Sequence, residues 1–484
     1  MTNISVFVRH FQRRNRFAAD VGFHSLALIA PYAIMSVAVG DEDQICIRAR
    51  KVSYLIISAK IRRIRVHQRL ILKLVFNSRL EFSNNDKSER EFFMKGLLYS
   101  LIAIFALFLI GCGQPPTGLA ENEVVSTQNI PNGENANQSA AKFRVETVAT
   151  GLEVPWAFAF LPNGNLLFTE RPGRVRVIEN GKLRAETIFT VPDVEPSSES
   201  GLMDLSLHPQ FAQNNYIYLA YAYRGDGKQV RVARYKFANN TITEPKTIIE
   251  AIPAAPNHAG TRARFGPDGK LYITTGDASQ KQLGQDTASL AGKTLRLNDD
   301  GGIPADNPFV NNKNYRPEIW TIGHRNAQGL AWQTGTNLMF QTEHGPSGFD
   351  APGGGDEVNF VEAGKNYGWA EIHHRQTKEG MVSPLLEYTP AAAPASAMFY
   401  SGKAFPEFKG NFFFGNLRGE RIIRVSLDGR KAVAQEDFLK GTYGRIREMA
   451  EGPDGFIYFS TSNRDGRGSP ANEDDRIMRI VPVK

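Results

Sequence analysis

Cysteine is scarce in this chain. Two cysteines among 484 residues exclude a disulfide-stapled scaffold and a zinc or iron–sulfur site built from cysteine thiolates. Histidine is also rare, with nine in total, so a histidine in a polar loop is a candidate for chemistry. Long helical patterns are absent, which excludes an α/β architecture. Glycine (44) and proline (26) are plentiful instead, which is typical of a turn-rich globular protein.

The positive charge is confined to the start of the chain. Residues 1–93 contain 16 of the 57 Lys and Arg and 8 of the 50 Asp and Glu, which leaves 41 basic and 42 acidic residues for 94–484. The formal net charge of +7 therefore does not describe the body of the protein. A near-neutral body gives no electrostatic reason to expect a nucleic-acid partner.

A short apolar segment follows Met94, where the sequence reads MKGLLYSLIAIFALFLIGCGQPPTG. The run at 97–110 is too short to span a bilayer comfortably but suits the core of a signal peptide. Its ending, LIGC, resembles the bacterial lipobox, which implies that Cys112 is lipidated and becomes the new N-terminus. The alternative is a short membrane anchor with a chance cysteine.

The lipobox interpretation divides the front of the chain into three parts. We predict an upstream extension from an incorrect translation start at 1–93, a lipoprotein signal peptide at 94–111 and a flexible tether at 112–141, which is rich in Gln, Asn, Pro and Ser. Gly113 after the cysteine resembles the sorting pattern of outer-membrane lipoproteins. We therefore expect a lipid-anchored protein at the outer membrane, facing the periplasm or the cell surface.

A turn followed by an alternating apolar strand recurs six times after residue 160. The copies are LPNGNLLFTE, HPQFAQNNYIYLAY, GPDGKLYITTGD, QTGTNLMFQTEHG, FPEFKGNFFFGN and GPDGFIYFSTSN. Six units at spacings of roughly 45–75 residues predict an all-β fold, a six-bladed β-propeller over 142–484. A β-sandwich would not repeat its turn phrase six times. The strands near 143 and at 476–483 are expected to share a blade and close the ring.

Three segments between the repeats contain the candidate chemistry. His258 precedes a repeat strand and Asp277 follows it, so both can return to one mouth of the propeller, where a histidine suits a general base. The segment IGHRNAQ concentrates Arg325 and Asn326, which suits a polar, anionic, planar ligand. The loop TEHGPSGFDAPGGGDEVN offers carbonyl and carboxylate oxygens for Ca²⁺. The same residues are also typical of an acidic, solvated loop that binds no ion.

Five motifs follow one another along the chain: NHAGTRARFGPDGKLYITTGDAS, IGHRNAQGLAW, TEHGP…GGDEVN, GKNYGW and GRIREMAEGPDGFIYF. They closely resemble motifs of the soluble PQQ-dependent aldose sugar dehydrogenases, the glucose/sorbosone dehydrogenase family. The match runs from about 143 to 483. It implies pyrroloquinoline quinone (PQQ) and Ca²⁺ as cofactors. It also implies oxidation of aldose sugars at the anomeric carbon to lactones, with electrons passed to the respiratory chain or a cytochrome.

The resemblance also implies roles for individual residues. His258 matches the base that takes the proton of the anomeric hydroxyl while hydride passes to PQQ, and Asp277 matches an acidic residue beside the substrate. Arg325 and Asn326 match the pair that contacts the quinone, and the resemblance implies a catalytic role for Arg325, which would stabilise the negative charge that develops on the reduced cofactor. The residues placed to bind the carboxylates of PQQ are Arg418, Arg445 and Arg447.

Two calcium sites follow from the same resemblance. The carbonyls of Gly345 and Pro346 match ligands of the Ca²⁺ that bridges to PQQ. Glu357 and the carbonyl of Tyr367 match a second, structural site. Glu199 stands near the position where relatives carry a glutamine that contacts PQQ, and a carboxylate beside an anionic cofactor is unfavourable unless it is protonated or turned away.

Two other function classes stay open at this stage. A gluconolactonase-like hydrolase would need carboxylate and Asn ligands from several blades around one central Ca²⁺, and no arginine for a quinone. A non-catalytic propeller that binds protein or sugar would tolerate the loss of His258 and Arg325.

Overall fold

A computed structural model describes residues 142–347 and 350–483 in full, together with the backbone of six strands between residues 24 and 70. The chain divides into two compact units, Met1–Leu119 and Ala120–Lys484. In the first unit, four antiparallel strands pair in sequence order and two more form a hairpin. They are β1 (His24–Ala30), β2 (Ala33–Val39), β3 (Gln44–Arg50), β4 (Ile57–Lys60), β5 (Arg65–Val66) and β6 (Arg69–Leu70). The predicted signal peptide and tether lie outside the described residues, and the upstream extension stays a prediction.

Six antiparallel sheets follow one another along the second unit and form the blades of a β-propeller. Blade 1 contains β8 (Pro155–Phe160), β9 (Leu166–Glu170), β10 (Arg174–Glu179) and β11 (Lys182–Leu183), with β12 (Phe189–Thr190) beside β10. Blade 2 contains β13 (Leu202–Leu207), β14 (Tyr216–Gly225), β15 (Gly227–Ala238) and β16 (Thr241–Pro253). Blade 3 contains β17 (Ala263–Phe265), β18 (Leu271–Thr274), β19 (Lys293–Leu297) and β20 (Ile319–Ile322).

Blade 4 contains β21 (Ala327–Trp332), β22 (Met339–Glu343), β23 (Asp356–Val361) and β24 (Leu386–Tyr388). Blade 5 contains β25 (Pro394–Phe399), β26 (Phe412–Asn416), β27 (Arg421–Asp428) and β28 (Lys431–Phe438). Blade 6 contains β29 (Ile446–Glu451), β30 (Ile457–Thr461), β31 (Ile477–Pro482) and β7 (Phe143–Ala149). The predicted six-bladed propeller is therefore confirmed. Helices are short in the described part of the chain: α1 (Phe211–Asn214) and 3₁₀ turns at Lys281–Gly284 and Pro406–Phe408.

The two ends of the propeller meet in one blade. Strand β7, near the start of the second unit, pairs antiparallel with β31 at its end, from Ile477 opposite Ala149 to Pro482 opposite Phe143. The predicted closure of the ring is thus confirmed. No helix among the described residues is long and apolar enough to cross a membrane.

Each of the six repeated phrases forms the turn between the first and second strands of a blade. In two copies the turn reads Pro-Asp-Gly, and Gly269 and Gly455 have φ of +72° and +84°, which an L side chain adopts only with strain. The aspartates cap these turns, since Asp268 Oδ1 accepts the Lys270 amide at 3.1 Å. The phrase therefore marks blades because it combines this turn with a buried strand.

The first strands of the blades lie innermost and contact one another around the central channel. Buried charged side chains of these strands fill the central channel. Arg262, which directly precedes β17, donates from Nη1 to Asp204 Oδ1 at 3.0 Å and also to Glu448. Arg264 bonds the same two carboxylates, and Ser396 Oγ donates to Glu448 at 3.0 Å. The charged side chains come from strands β13, β17 and β29 or their edges, so the channel is closed by ion pairs.

Candidate active site

The predicted site residues converge at one end of the ring. The segments that lead into first strands carry Glu199, His258, Arg325 and Asn326, while Arg445 and Arg447 lie at the start of β29. Loops that follow second strands carry Asp277 and the 344–346 turn. Because the chain reverses between the first and second strands, the entry to the first and the exit from the second lie at the same edge of a blade.

His258 and Asp277 form the centre of this site. His258 Nδ1 lies 2.7 Å from Asp277 Oδ1, and Asp277 is buried while the imidazole is 14% exposed. The other carboxylate oxygen, Oδ2, accepts the Trp369 indole N–H at 2.8 Å. A carboxylate that accepts at Nδ1 keeps the proton there and leaves Nε2 as the basic nitrogen. Asp277 thus lies behind His258 as its orienting partner.

The backbone at His258 is held in an uncommon conformation. Its φ is +57°, in the left-handed region that costs a non-glycine residue free energy. Its amide donates to Glu199 Oε2 at 3.2 Å, and Gly260, two residues on, donates to Asn326 Oδ1 at 3.1 Å. The loop that presents the imidazole is therefore fixed from both sides.

Arg325 and Asn326 lie next to this loop. Arg325 is buried and its guanidinium donates from Nε and Nη2 to Asp350 Oδ2 at 3.0 and 2.7 Å. Its Cζ lies 5.4 Å from the centre of the Trp369 ring. Asn326 Nδ2 donates to Glu199 Oε2 at 3.1 Å and lies 3.3 Å from His344 Nδ1. A charged fork and an amide therefore lie beside the loop that carries His258.

Glu199 and His344 are the two titratable groups behind Asn326. Burial lowers the pKa of His344 to about 3, so its imidazole is neutral at pH 7. Burial alone would raise the pKa of Glu199, but His344 and Arg467 together hold it below its usual range. The Arg467 guanidinium lies 2.8 Å from Glu199 Oε1 and favours the ionised form of this carboxylate.

Two further arginines, Arg445 and Arg447, adjoin the same mouth. Arg445 donates from Nε to Asp465 Oδ2 at 2.9 Å, and Arg447 donates to Ser462 Oγ and Gln328 Oε1 at 2.9 and 3.3 Å. Burial and the charge of Arg445, only partly offset by Asp465, lower the pKa of Arg447 to about 10. The Arg447 guanidinium therefore stays cationic near neutral pH.

Arg418 differs from the other predicted arginines. It lies in the turn between β26 and β27, and its side chain is exposed. Its backbone amide donates to Ala392 O at 3.0 Å. The amide of Ala392 in turn donates to Asp356 Oδ2 at 2.6 Å, so Arg418 is linked to the predicted metal loop only through the backbone.

Gly345 occupies a tightly packed turn after β22. Its amide donates to Asp356 Oδ1 at 2.8 Å, and a Cβ at this position would lie 1.9 Å from the carbonyl oxygen of Gly355. Only glycine fits such a contact. Asp356 accepts three backbone N–H bonds, although burial still raises its pKa. At this loop, metal ligation would therefore fall to the carbonyls of Gly345 and Pro346.

Glu357 is the central member of a row of carboxylates across blade 4. It is paired in register with Glu343 on β22 and with Glu387 on β24, so all three point to one face. Burial, and then the charge of Glu343, raise the pKa of Glu357 well above its usual range. Tyr367 adjoins the same region, with its ring stacked on His324, and His324 Nδ1 lies 2.8 Å from Glu343 Oε2.

This carboxylate row lacks a complete set of side-chain metal ligands. The described residues contain no group of three or more His, Cys, Asp or Glu side chains placed to hold a metal ion. A cation here would need backbone carbonyls as well, as predicted for Tyr367.

Sequence reasoning overlooked three residues of this site: Trp369, His344 and Arg467. Trp369 and His344 stand in two of the motifs that carry the resemblance, GKNYGW and TEHGP. Arg467 belongs to the segment NRDGRG. Its two arginines and its aspartate stand beside glycines, and this pattern was the available sequence signal for a polar loop at the site.

Comparisons with known proteins identify the family of this chain. Residues 152–477 match the family model for glucose/sorbosone dehydrogenase. The chain is 35% identical to aldose sugar dehydrogenase YliI of Escherichia coli, over 69% of this chain and 94% of that protein. It is 30% identical to quinoprotein glucose dehydrogenase B of Acinetobacter calcoaceticus, over 72% and 90% of the two chains.

Solved structures give the same result. The PQQ-bound aldose sugar dehydrogenase of Streptomyces coelicolor superposes with a TM-score of 0.63 at 33% identity, over 71% of this chain and 99% of that chain. The soluble apo enzyme of Escherichia coli gives 0.65 at 32% identity, over 71% and 100%. The family model covers strands of all six blades and the segments that build the mouth, from Glu199 to Arg467. The chain thus belongs to the glucose/sorbosone dehydrogenase family.

Proposed function

We propose that this protein oxidises aldose sugars at the anomeric carbon to lactones, with PQQ as the oxidant and Ca²⁺ as a second cofactor. The observation that carries the proposal is the chain of hydrogen bonds from Trp369 through Asp277 to His258 at the mouth of the propeller. It leaves one imidazole nitrogen, Nε2, free to accept a proton in an otherwise buried, rigid setting. Electrons would leave to the respiratory chain or a cytochrome.

His258 would act as the general base. Its Nε2 accepts the proton of the anomeric hydroxyl, which assists loss of hydride from the same carbon and leaves a lactone carbonyl. Asp277 stabilises the imidazolium that forms, and Trp369 keeps the carboxylate in place. When bound, PQQ supplies a quinone that accepts the hydride, with Ca²⁺ as a Lewis acid on that quinone.

The residues at the mouth fit an anionic, planar cofactor. Arg445 and Arg447 would hold its carboxylates, and Arg325 and Asn326 would contact the quinone. His344 Nε2 supports this fit because it is buried and has no hydrogen-bond partner among the described residues. A buried polar atom without a partner is costly, so a ligand at this position would relieve the cost.

We propose two places for Ca²⁺ in the described part of the chain. The carbonyls of Gly345 and Pro346 would hold the ion next to the cofactor. Glu357 and the carbonyl of Tyr367 would hold a second ion, and the raised pKa of Glu357 supports this because a divalent cation would stabilise the ionised form of the carboxylate row.

The test is stopped-flow reduction of bound PQQ by excess aldose, with the purified full-length chain loaded with PQQ and Ca²⁺. His258→Asn should retain PQQ but slow its reduction by roughly 10²–10⁴, the usual effect of losing a positioned base. His208→Asn is the matched control, since His208 bonds Asn214 and stacks on Tyr218 in blade 2. Reduction of PQQ in His258→Asn at the wild-type rate would refute the assignment.

The two alternatives have less support. A gluconolactonase-like hydrolase needs free carboxylates in the channel, whereas Asp204 and Glu448 are held there by Arg262 and Arg264. A non-catalytic binding propeller gives no reason for a buried carboxylate to orient a histidine at the mouth.

We also propose that Cys112 is lipidated and anchors the protein at the outer membrane, facing the periplasm or the cell surface. The support is the sequence at 97–113 alone. Mass analysis of the N-terminus of protein extracted from membranes should find a lipid on Cys112, and an unprocessed Met1 terminus would contradict the proposal.

A further inference from the structure

A salt bridge between distant parts of the chain crosses the mouth of the propeller. Arg467, in the loop between β30 and β31, donates from Nη1 to Glu199 Oε1 at 2.8 Å. Its Nη2 donates to Asn257 Oδ1 at 2.7 Å, next to His258. The Glu199 side chain is 9% exposed and that of Arg467 is 46% exposed, so the arginine covers the carboxylate from the solvent side.

The second oxygen of Glu199 faces the proposed cofactor contacts. Oε2 accepts the His258 amide at 3.2 Å, Asn326 Nδ2 at 3.1 Å and Gln328 Nε2 at 3.4 Å. Glu199 therefore lies among residues that would surround an anionic cofactor. It is ionised at neutral pH, so an uncompensated carboxylate here would repel that cofactor.

We propose that Arg467 is the counter-ion that lets this protein keep an ionised carboxylate beside its cofactor, and that the Glu199–Arg467 pair positions the His258 loop and Asn326. The inference rests on the proposed function, because it takes PQQ as the ligand of the mouth. It assigns neither residue a chemical step. Both are positioning residues.

The magnitude follows from the charges. At an effective dielectric constant of about 20, two unit charges within about 12 Å of each other change a binding equilibrium about tenfold or more. Removing the positive charge of Arg467 should therefore weaken PQQ binding at least tenfold. Removing the negative charge of Glu199 at the same time should restore it, since the remaining amides can still accept and donate hydrogen bonds.

The experiment is a fluorescence titration of the full-length protein with PQQ in the presence of Ca²⁺. Arg467→Gln should raise the Kd of PQQ about tenfold or more. Arg467→Lys, which keeps the charge, and the double variant Glu199→Gln/Arg467→Gln should each bind within about threefold of the wild type. Glu199→Gln alone should bind at least as tightly as the wild type.

Arg464→Gln is the matched control, because Arg464 lies in the same loop but donates to carbonyls of that loop, such as that of Asp474. Any loss of affinity that it causes should not be reversed by Glu199→Gln. Thermal unfolding of each cofactor-free variant gives a second readout and should show the lowest midpoint for Arg467→Gln, where the buried carboxylate is unpaired.

Three results separate the outcomes. Wild-type affinity in Arg467→Gln, or no recovery in the double variant, would overturn the counter-ion role while PQQ binding by the wild type keeps the proposed function intact. Failure of the wild type to bind PQQ would overturn both. Equal unfolding midpoints for wild type and Arg467→Gln would contradict the pairing itself.

Discussion

The ion pairs that close the central channel should be needed for stability, and Asp204→Asn tests this. Asp204 accepts Arg262 Nη1 at 3.0 Å, the Ala263 amide at 2.7 Å and Arg264 Nη1, and its side chain is fully buried. Asparagine has nearly the same shape but no charge, and it would leave two guanidiniums facing Glu448 alone. Breaking a buried pair in this way costs about 3–5 kcal/mol of unfolding free energy.

The expected change in melting temperature follows from the size of the domain. With an unfolding entropy of about 2.1 cal/mol/K per residue over roughly 340 residues, 3–5 kcal/mol corresponds to a decrease of roughly 4–7 °C. The assay is calorimetric unfolding of the full-length protein at pH 7.

Asp193→Asn is the control, because it removes an exposed ion pair with Arg231, usually worth less than about 1 kcal/mol. A decrease for Asp204→Asn no larger than that of the control would refute the reasoning.

Three further predictions concern buried groups. Without Ca²⁺, stability should fall as the pH rises above about 4.5, because the raised pKa of Glu357 means that the folded state retains a proton that the unfolded chain releases. Added Ca²⁺ or the substitution Glu357→Gln should reduce this dependence of the melting temperature on pH in thermal melts at several pH values. Trp369→Phe should slow PQQ reduction about tenfold in stopped flow without loss of PQQ, since Asp277 loses one hydrogen bond worth about 1.4 kcal/mol; an unchanged rate would contradict the orienting role. Lys293 donates from Nζ to three backbone carbonyls, and burial lowers its pKa to about 7. Because the unfolded chain keeps the lysine proton to a higher pH, the stability of the wild type relative to Lys293→Met should rise between about pH 7 and 10 in urea titrations. A stability difference that does not change with pH would contradict this prediction.

The fold could be predicted because its signal is local. Each turn phrase lies within 14 residues and contains both the turn residues and the strand that follows, so six copies reveal six blades. The same locality explains the placement of His258 and Asp277. They flank one hairpin, and the reversal of that hairpin brings them to the same edge.

What the sequence could not show depends on partners far apart in the chain. Glu199 alone suggests an unfavourable carboxylate, and its counter-ion, Arg467, stands 268 positions later. Likewise Asp204 and Glu448 resemble the polar half of any alternating strand. Only the closed ring shows that both point inward and share Arg262, because six strands from separate blades meet there.

The pairing of β7 with β31 has a consequence for how the molecule is made. Glu146 and Arg479, joined by hydrogen bonds at 2.8–3.0 Å, are separated by 333 positions, so β7 emerges from the ribosome long before its partner. Until then it is an unpaired edge strand, a surface prone to aggregation. The ring closes only when the last strand is synthesised. A chain that stops before residue 477 would lose one strand directly and a second by detachment, so late truncations should be as damaging as early ones.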